Sequence, residues 1–150
     1  MTADTDLIKL YSQQILGLAA NMPHTTRLAA PDATASMRAP LCGSTVTIDV
    51  QIKNGVLIAL GQDVKACALG QAAASVLGQA AIGQDIQSLV RARDQLSAML
   101  SGDGPVPDPP FEGFEVLTAA RGFKNRHASI LLAANAVVEA MTDAAERDCA

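Results

Sequence analysis

The chain has 150 residues, 49% hydrophobic but only 3% aromatic and without tryptophan, so its core must be closely packed Ala, Val, Ile and Leu. A formal net charge of −4 supplies no basic face, which excludes a nucleic-acid partner held through its phosphates. The first residues carry acids and no basic run, and Gly, Gln, Ser or charge interrupts each apolar stretch short of about 20 residues, so no export signal or membrane partner is expected and the expected location is cytoplasmic.

Leu7, Leu10, Ile15 and Leu18 recur near helical spacing and predict an amphipathic helix from about Asp4 to Asn21. Asp4 or Thr5 caps its start and Met22-Pro23 closes it. A polar loop then runs through Pro31-Asp32, and Thr34 to Arg38 reads as a strand. Ser44 to Ile52 alternates with period two: Val46, Ile48, Val50 and Ile52 face one side, Thr45, Thr47, Asp49 and Gln51 the other. Asn54-Gly55 signals a tight hairpin turn, and Val56 to Leu60 returns as the partner strand. No crossover helix separates these strands, so the sheet is antiparallel. Beyond Val64 the pattern turns helical. Cys67–Ile82 and Ile86–Leu100 read as helices split at Gly83-Gln84-Asp85, and Ser101–Pro110 as an exposed linker. Phe111, Phe114 and Leu117 pack a short helix or turn, and Asn125–Ala145 forms a long last helix. The expected class is α+β: one domain over residues 1–150, a three-stranded antiparallel sheet covered by helices on one face.

Cysteines number three: Cys42, Cys67 and Cys149. In a reducing compartment thiols read as ligands or nucleophiles rather than staples, and Cys149, beside the C-terminus, reads as incidental. Cys67 lies where a strand gives way to a helix, so unpaired backbone N–H groups and the positive dipole end favour its thiolate, and Lys65 pushes the same way. His127, at the start of the last helix, supplies an imidazole that with two thiolates suits zinc or iron. The competing readings are two small buried hydrophobes and a surface histidine. No GxSxG, HExxH or Walker loop occurs, and nothing marks an oxyanion hole, although a Cys67–His127 nucleophilic pair stays open. Arg121 and Arg126 flank the entry to the last helix, free either to hold an anion or to be solvated.

Four segments together resemble one known family. Leu10-Tyr-Ser-Gln-Gln-Ile-Leu16 is similar to its LYxxxIL opening helix, and Cys42-Gly43 before the alternating strand to its CGD segment. Ala66-Cys67-Ala-Leu-Gly-Gln-Ala-Ala-Ala-Ser75 is similar to its GCxxxxASAS helix, and Ser129 to Val137 aligns on its CxxLAxxAL stretch. The sequence thus resembles the NifU N-terminal, IscU and SufU scaffolds of iron–sulfur cluster assembly, with the SufU-type branch favoured by the long stretch between Cys67 and the last helix. The resemblance implies a scaffold or sulfur relay that accepts sulfur from a cysteine desulfurase, carries a transient iron–sulfur cluster or zinc, and serves apo iron–sulfur acceptor proteins. It implies Cys42 and Cys67 as ligands, Cys67 also as the sulfur acceptor. Ser44 stands where the family has aspartate and Ser129 where it has a third cysteine. His127, two residues before Ser129, is then the expected third ligand, with a fourth position open. The alternatives are a zinc-dependent sulfurtransferase and a metal-free interaction protein.

Overall fold

The computed structural model describes residues 11–148. The first described helix, α1 (Gln13–Ala20), begins at Ser12, whose extended backbone interrupts the longer helix that spacing predicts. Ser12 Oγ accepts from the Ile15 N–H at 3.3 Å, so the cap lies here. Leu7, Leu10 and the Asp4 or Thr5 cap lie outside the described residues.

Three strands follow, β1 (Ala33–Arg38), β2 (Thr45–Lys53) and β3 (Val56–Lys65), paired antiparallel in the order β1-β2-β3. Asn54 and Gly55 both take positive φ, as a tight hairpin turn requires. Val46, Ile48 and Val50 are buried, as their alternation predicts. β3 runs to Lys65, five residues beyond Leu60, through the polar Gly61-Gln62-Asp63. Gln62 is buried with its Nε2 donating to the carbonyls of Pro23 and Ala74, both at 3.1 Å, and its Oε1 unpartnered among the described residues.

The sheet's polar face is covered too. The segment from residue 22 to residue 32 crosses it closely: a Cβ added at Gly61 would come within 2.6 Å of the Thr26 carbonyl, so only glycine fits there. Asp49 on this face is fully buried, and Arg27 Nε donates to it at 2.6 Å, the Leu28 N–H at 3.0 Å and the Thr34 hydroxyl at 2.5 Å.

On the other side lie α2 (Ala68–Ala80), α3 (Ile86–Ser101) and α4 (His127–Asp148). α3 is capped by the Asp85 carboxylate, which accepts from the Ser88 N–H at 2.8 Å. α4 packs along β1 and β2 and touches α2 and α3, while α1 lies on α2. By length and composition α4 passes for a membrane span, a longer apolar run than the sequence reading allows. Here that apolar surface is spent on the core: Ile130, Ala133, Ala136, Val137 and Ala140 are all buried. Phe111, Phe114 and Leu117 are buried in or beside a 3₁₀ segment, Glu112–Ala120, with a second short one at Lys124–Arg126.

Ser101–Pro110 is less a linker than a strap. Arg91 pairs with Asp108 at 2.8 Å, Gln95 accepts from the Asp108 N–H at 3.0 Å, and Arg121 donates to the Gly104 carbonyl at 2.9 Å.

Candidate functional site

β2 starts and β3 ends at the same edge of the molecule, since Thr45 pairs with Lys65. Cys42 lies three residues before that pair and Cys67 two residues after it. The Pro40–Gly43 turn is closed at its root by two 2.9 Å hydrogen bonds: the Ala39 N–H donates to the Ser44 carbonyl and the Gly43 N–H to the Ala39 carbonyl. Gly43 needs its positive φ of 72° to complete the turn. Cys42 is exposed at its tip, beside a Leu41 that is 86% exposed. Cys67 is half-buried, its backbone extended as the residue that precedes α2.

The first turn of α4 brings Ser129 to the same place. Cys42 Sγ donates to Ser44 Oγ at 3.1 Å, Ser129 Oγ donates to Ser44 Oγ at 3.2 Å, and Cys67 Sγ lies 3.6 Å from Ser129 Oγ. Four side chains thus form one connected chain, Cys42–Ser44–Ser129–Cys67, with both serines buried. Gly70 makes the approach of α2 to α4 possible: a Cβ there would lie 2.7 Å from Ser129 Oγ and 2.8 Å from Ala66 Cβ.

Both thiols are more acidic than ordinary cysteine. The Ser44 hydroxyl and then the Ser44 backbone hold the Cys42 thiol down. Burial pushes the Cys67 thiol up, but the Gly70 N–H, the Ser129 hydroxyl, the Leu69 N–H and the charge of Arg126 outweigh it. The start of α2 therefore acts on Cys67 in the expected direction, and the cation acting on it is Arg126 rather than Lys65. Arg121 is occupied elsewhere, donating to the Met99 and Gly104 carbonyls.

His127 is not brought to this group. Its Nε2 lies 2.9 Å from the Ala120 carbonyl, tying the start of α4 to the preceding 3₁₀ segment. His24 stands in the covering segment, where its carbonyl accepts from the Gln62 N–H. Among the described residues no three His, Cys, Asp or Glu side chains are grouped to hold a metal ion. The donor set in place is two thiols and two neutral hydroxyls, which does not fit a resident tetrahedral zinc. Cys149 lies outside the described residues. What residue types alone leave unstated is that Ser44 and Ser129 point inward; their place at expected ligand positions was the available signal.

A sequence profile for the NifU-like N-terminal domain matches residues 10–147. No curated protein matches the chain. Among solved structures, a nitrogen-fixing NifU-like protein (N-terminal) from Brucella abortus is 39% identical, with a TM-score of 0.91 over 95% of this chain and 99% of its own. A protein from Fervidobacterium islandicum, described as an iron–sulfur cluster assembly scaffold for the SUF system, shares the fold at 17% identity. Its TM-score is 0.77 over 89% of this chain and 98% of that one. With the family profile spanning residues 10–147 and the fold in agreement, the chain belongs to the NifU-like N-terminal domain family.

Proposed function

We propose that the protein is an iron–sulfur cluster assembly scaffold that also relays sulfur, taking sulfur on Cys67 and handling iron and cluster as cargo between Cys67 and Cys42. The observation that carries this reading is the connected chain Cys42–Ser44–Ser129–Cys67, which gathers two acidified thiols at one exposed edge. Family membership supports it, and so does the similarity in fold to a protein described as a SUF-system scaffold.

The roles follow from the settings. Cys67, at the head of α2 with its sulfur 3.6 Å from Ser129 Oγ and its thiol acidified, is the nucleophile that takes a sulfur atom from the persulfide of a cysteine desulfurase. Exposed Leu41 and Cys42 form the side from which such a donor approaches, and from which an apo iron–sulfur acceptor collects cargo. Cluster irons are normally held by four thiolates, so two per chain make a loose grip suited to transfer.

The test is anaerobic reconstitution with ferrous iron and sulfide, reading iron and sulfide per chain and visible charge-transfer absorption. Wild-type protein is expected to gain colour and both elements, and Cys42→Ala and Cys67→Ala to lose most of each. Equal loading in all three proteins would overturn the site. A zinc-dependent sulfurtransferase predicts stoichiometric zinc in protein as purified, a donor set this site lacks.

A further inference from the structure

The two thiols sit in unequal settings. Cys67 is half-buried at the head of α2, whereas Cys42 rides on an exposed turn. A Cβ at Gly43 would meet nothing within 4 Å, so the tip of that turn has open space around it. Thr45 and Lys65 are the last pair of β2 and β3, so Cys42, three residues before Thr45, and Cys67, two residues after Lys65, leave the sheet at the same edge. A disulfide needs Cα atoms about 4.4–6.8 Å apart, so closing one requires the exposed Cys42 turn to move in over the two serines. The Ser44 and Ser129 hydroxyls bridge the two sulfurs. Both are neutral, so they repel neither an incoming thiolate nor a departing anion.

We propose that Cys42 is a resolving thiol: once Cys67 carries an added sulfur, Cys42 displaces that sulfur as hydrosulfide and closes a Cys42–Cys67 disulfide. This activity rests on the sulfur-accepting reading above and extends it from carrying sulfur to releasing it in reduced form. In the first step the Cys67 thiolate attacks the outer sulfur of a persulfide or polysulfide donor, and the remainder of the donor leaves as a thiolate or shortened polysulfide. In the second, the Cys42 thiolate attacks Cys67 Sγ. The Cys42–Cys67 bond forms, the bond from Cys67 Sγ to the outer sulfur breaks, and HS⁻ leaves with the electron pair. The outer sulfur gains two electrons and the two cysteine sulfurs together lose two. A dithiol reductant then restores the pair for another round.

The experiment uses the 150-residue protein carrying Cys149→Ser, so that Cys42 and Cys67 are the thiols present. Reduced protein is mixed with sodium tetrasulfide without oxygen, desalted at once, and followed by intact-mass spectrometry and a sulfide assay. The parent is expected to lose an initial one-sulfur mass gain, end two hydrogens lighter, and release close to one sulfide per chain. With Cys42→Ser added, the one-sulfur gain should persist and sulfide release should slow by roughly tenfold or more. Cys42 is exposed, so this variant is expected to fold. A sulfur gain that persists equally in both proteins, with no disulfide, overturns the resolving role and leaves the acceptor reading standing. Failure of both proteins to gain sulfur overturns the two together. A disulfide found only between chains also overturns the proposal.

Discussion

Ser129 sits in the first turn of α4, 2% exposed, with its hydroxyl between Ser44 and the Cys67 thiol. Its hydroxyl can turn its one proton toward Cys67 when that thiol ionises, which favours the thiolate, so its removal raises the Cys67 thiol pKa. Ser129→Ala is therefore expected to slow iodoacetamide labelling of Cys67 several-fold near neutral pH and to move the rate–pH profile upward. A profile that coincides with that of wild type would show the hydroxyl to be inert. At this scale the sequence is a partial guide. It names Cys42 and Cys67 as the reactive pair and marks Ser44 and Ser129 by their positions in the family pattern. It cannot give the direction of a side chain, which is why His127, plausible as a ligand by type, is found on the Ala120 carbonyl instead.

Elements show the same division between pattern and context. The period-two run of β2 and the Asn54-Gly55 turn were legible because each is a local rule that tertiary contacts reinforce. The far half of β3 was legible only as a strand region reaching about Asp63, since its alternation ends at Leu60; Gln62 is carried in the strand by donating to the Pro23 and Ala74 carbonyls. Nor was the fate of Asp49, which alternation places on the polar face and residues 22–32 bury. Burial alone would push that carboxyl up, but Arg27, Thr34 and the Leu28 N–H hold it below the usual aspartate range. Its contribution to stability is thus full above the unfolded value of about 3.9 and is lost as pH falls toward the lower folded value. Asp49→Asn is expected to cost about 2–3 kcal/mol at pH 7, because Arg27 and the surrounding donors lose their anion. Urea midpoints measured between pH 6 and pH 3 should fall for wild type and stay flatter for the variant; parallel curves would remove Asp49 from the account.

Across the whole molecule, β2, β3, α2 and α4 each contribute a terminus or a neighbouring turn to one edge, and the chemistry collects there. Leu41 gives that edge an apolar point in open solvent, next to Cys42. If a protein donor docks there, Leu41→Asp should cut sulfur transfer from a cysteine desulfurase by roughly tenfold or more, the loss of one buried leucine anchor. Reaction with inorganic polysulfide should be unchanged, and an equal fall with both donors would count against docking. The architecture, a three-stranded antiparallel sheet with helices packed on it, could be read from periodicity; the convergence of four termini on one edge could not, because it depends on how α4 lies across the strands. That same lay-out leaves the Asn54-Gly55 hairpin at the opposite end of β2, about 25–30 Å from the thiols at ordinary strand rise. A dye, a spin label or a surface tether installed at the hairpin would therefore report on or immobilise the protein without shadowing the reactive edge.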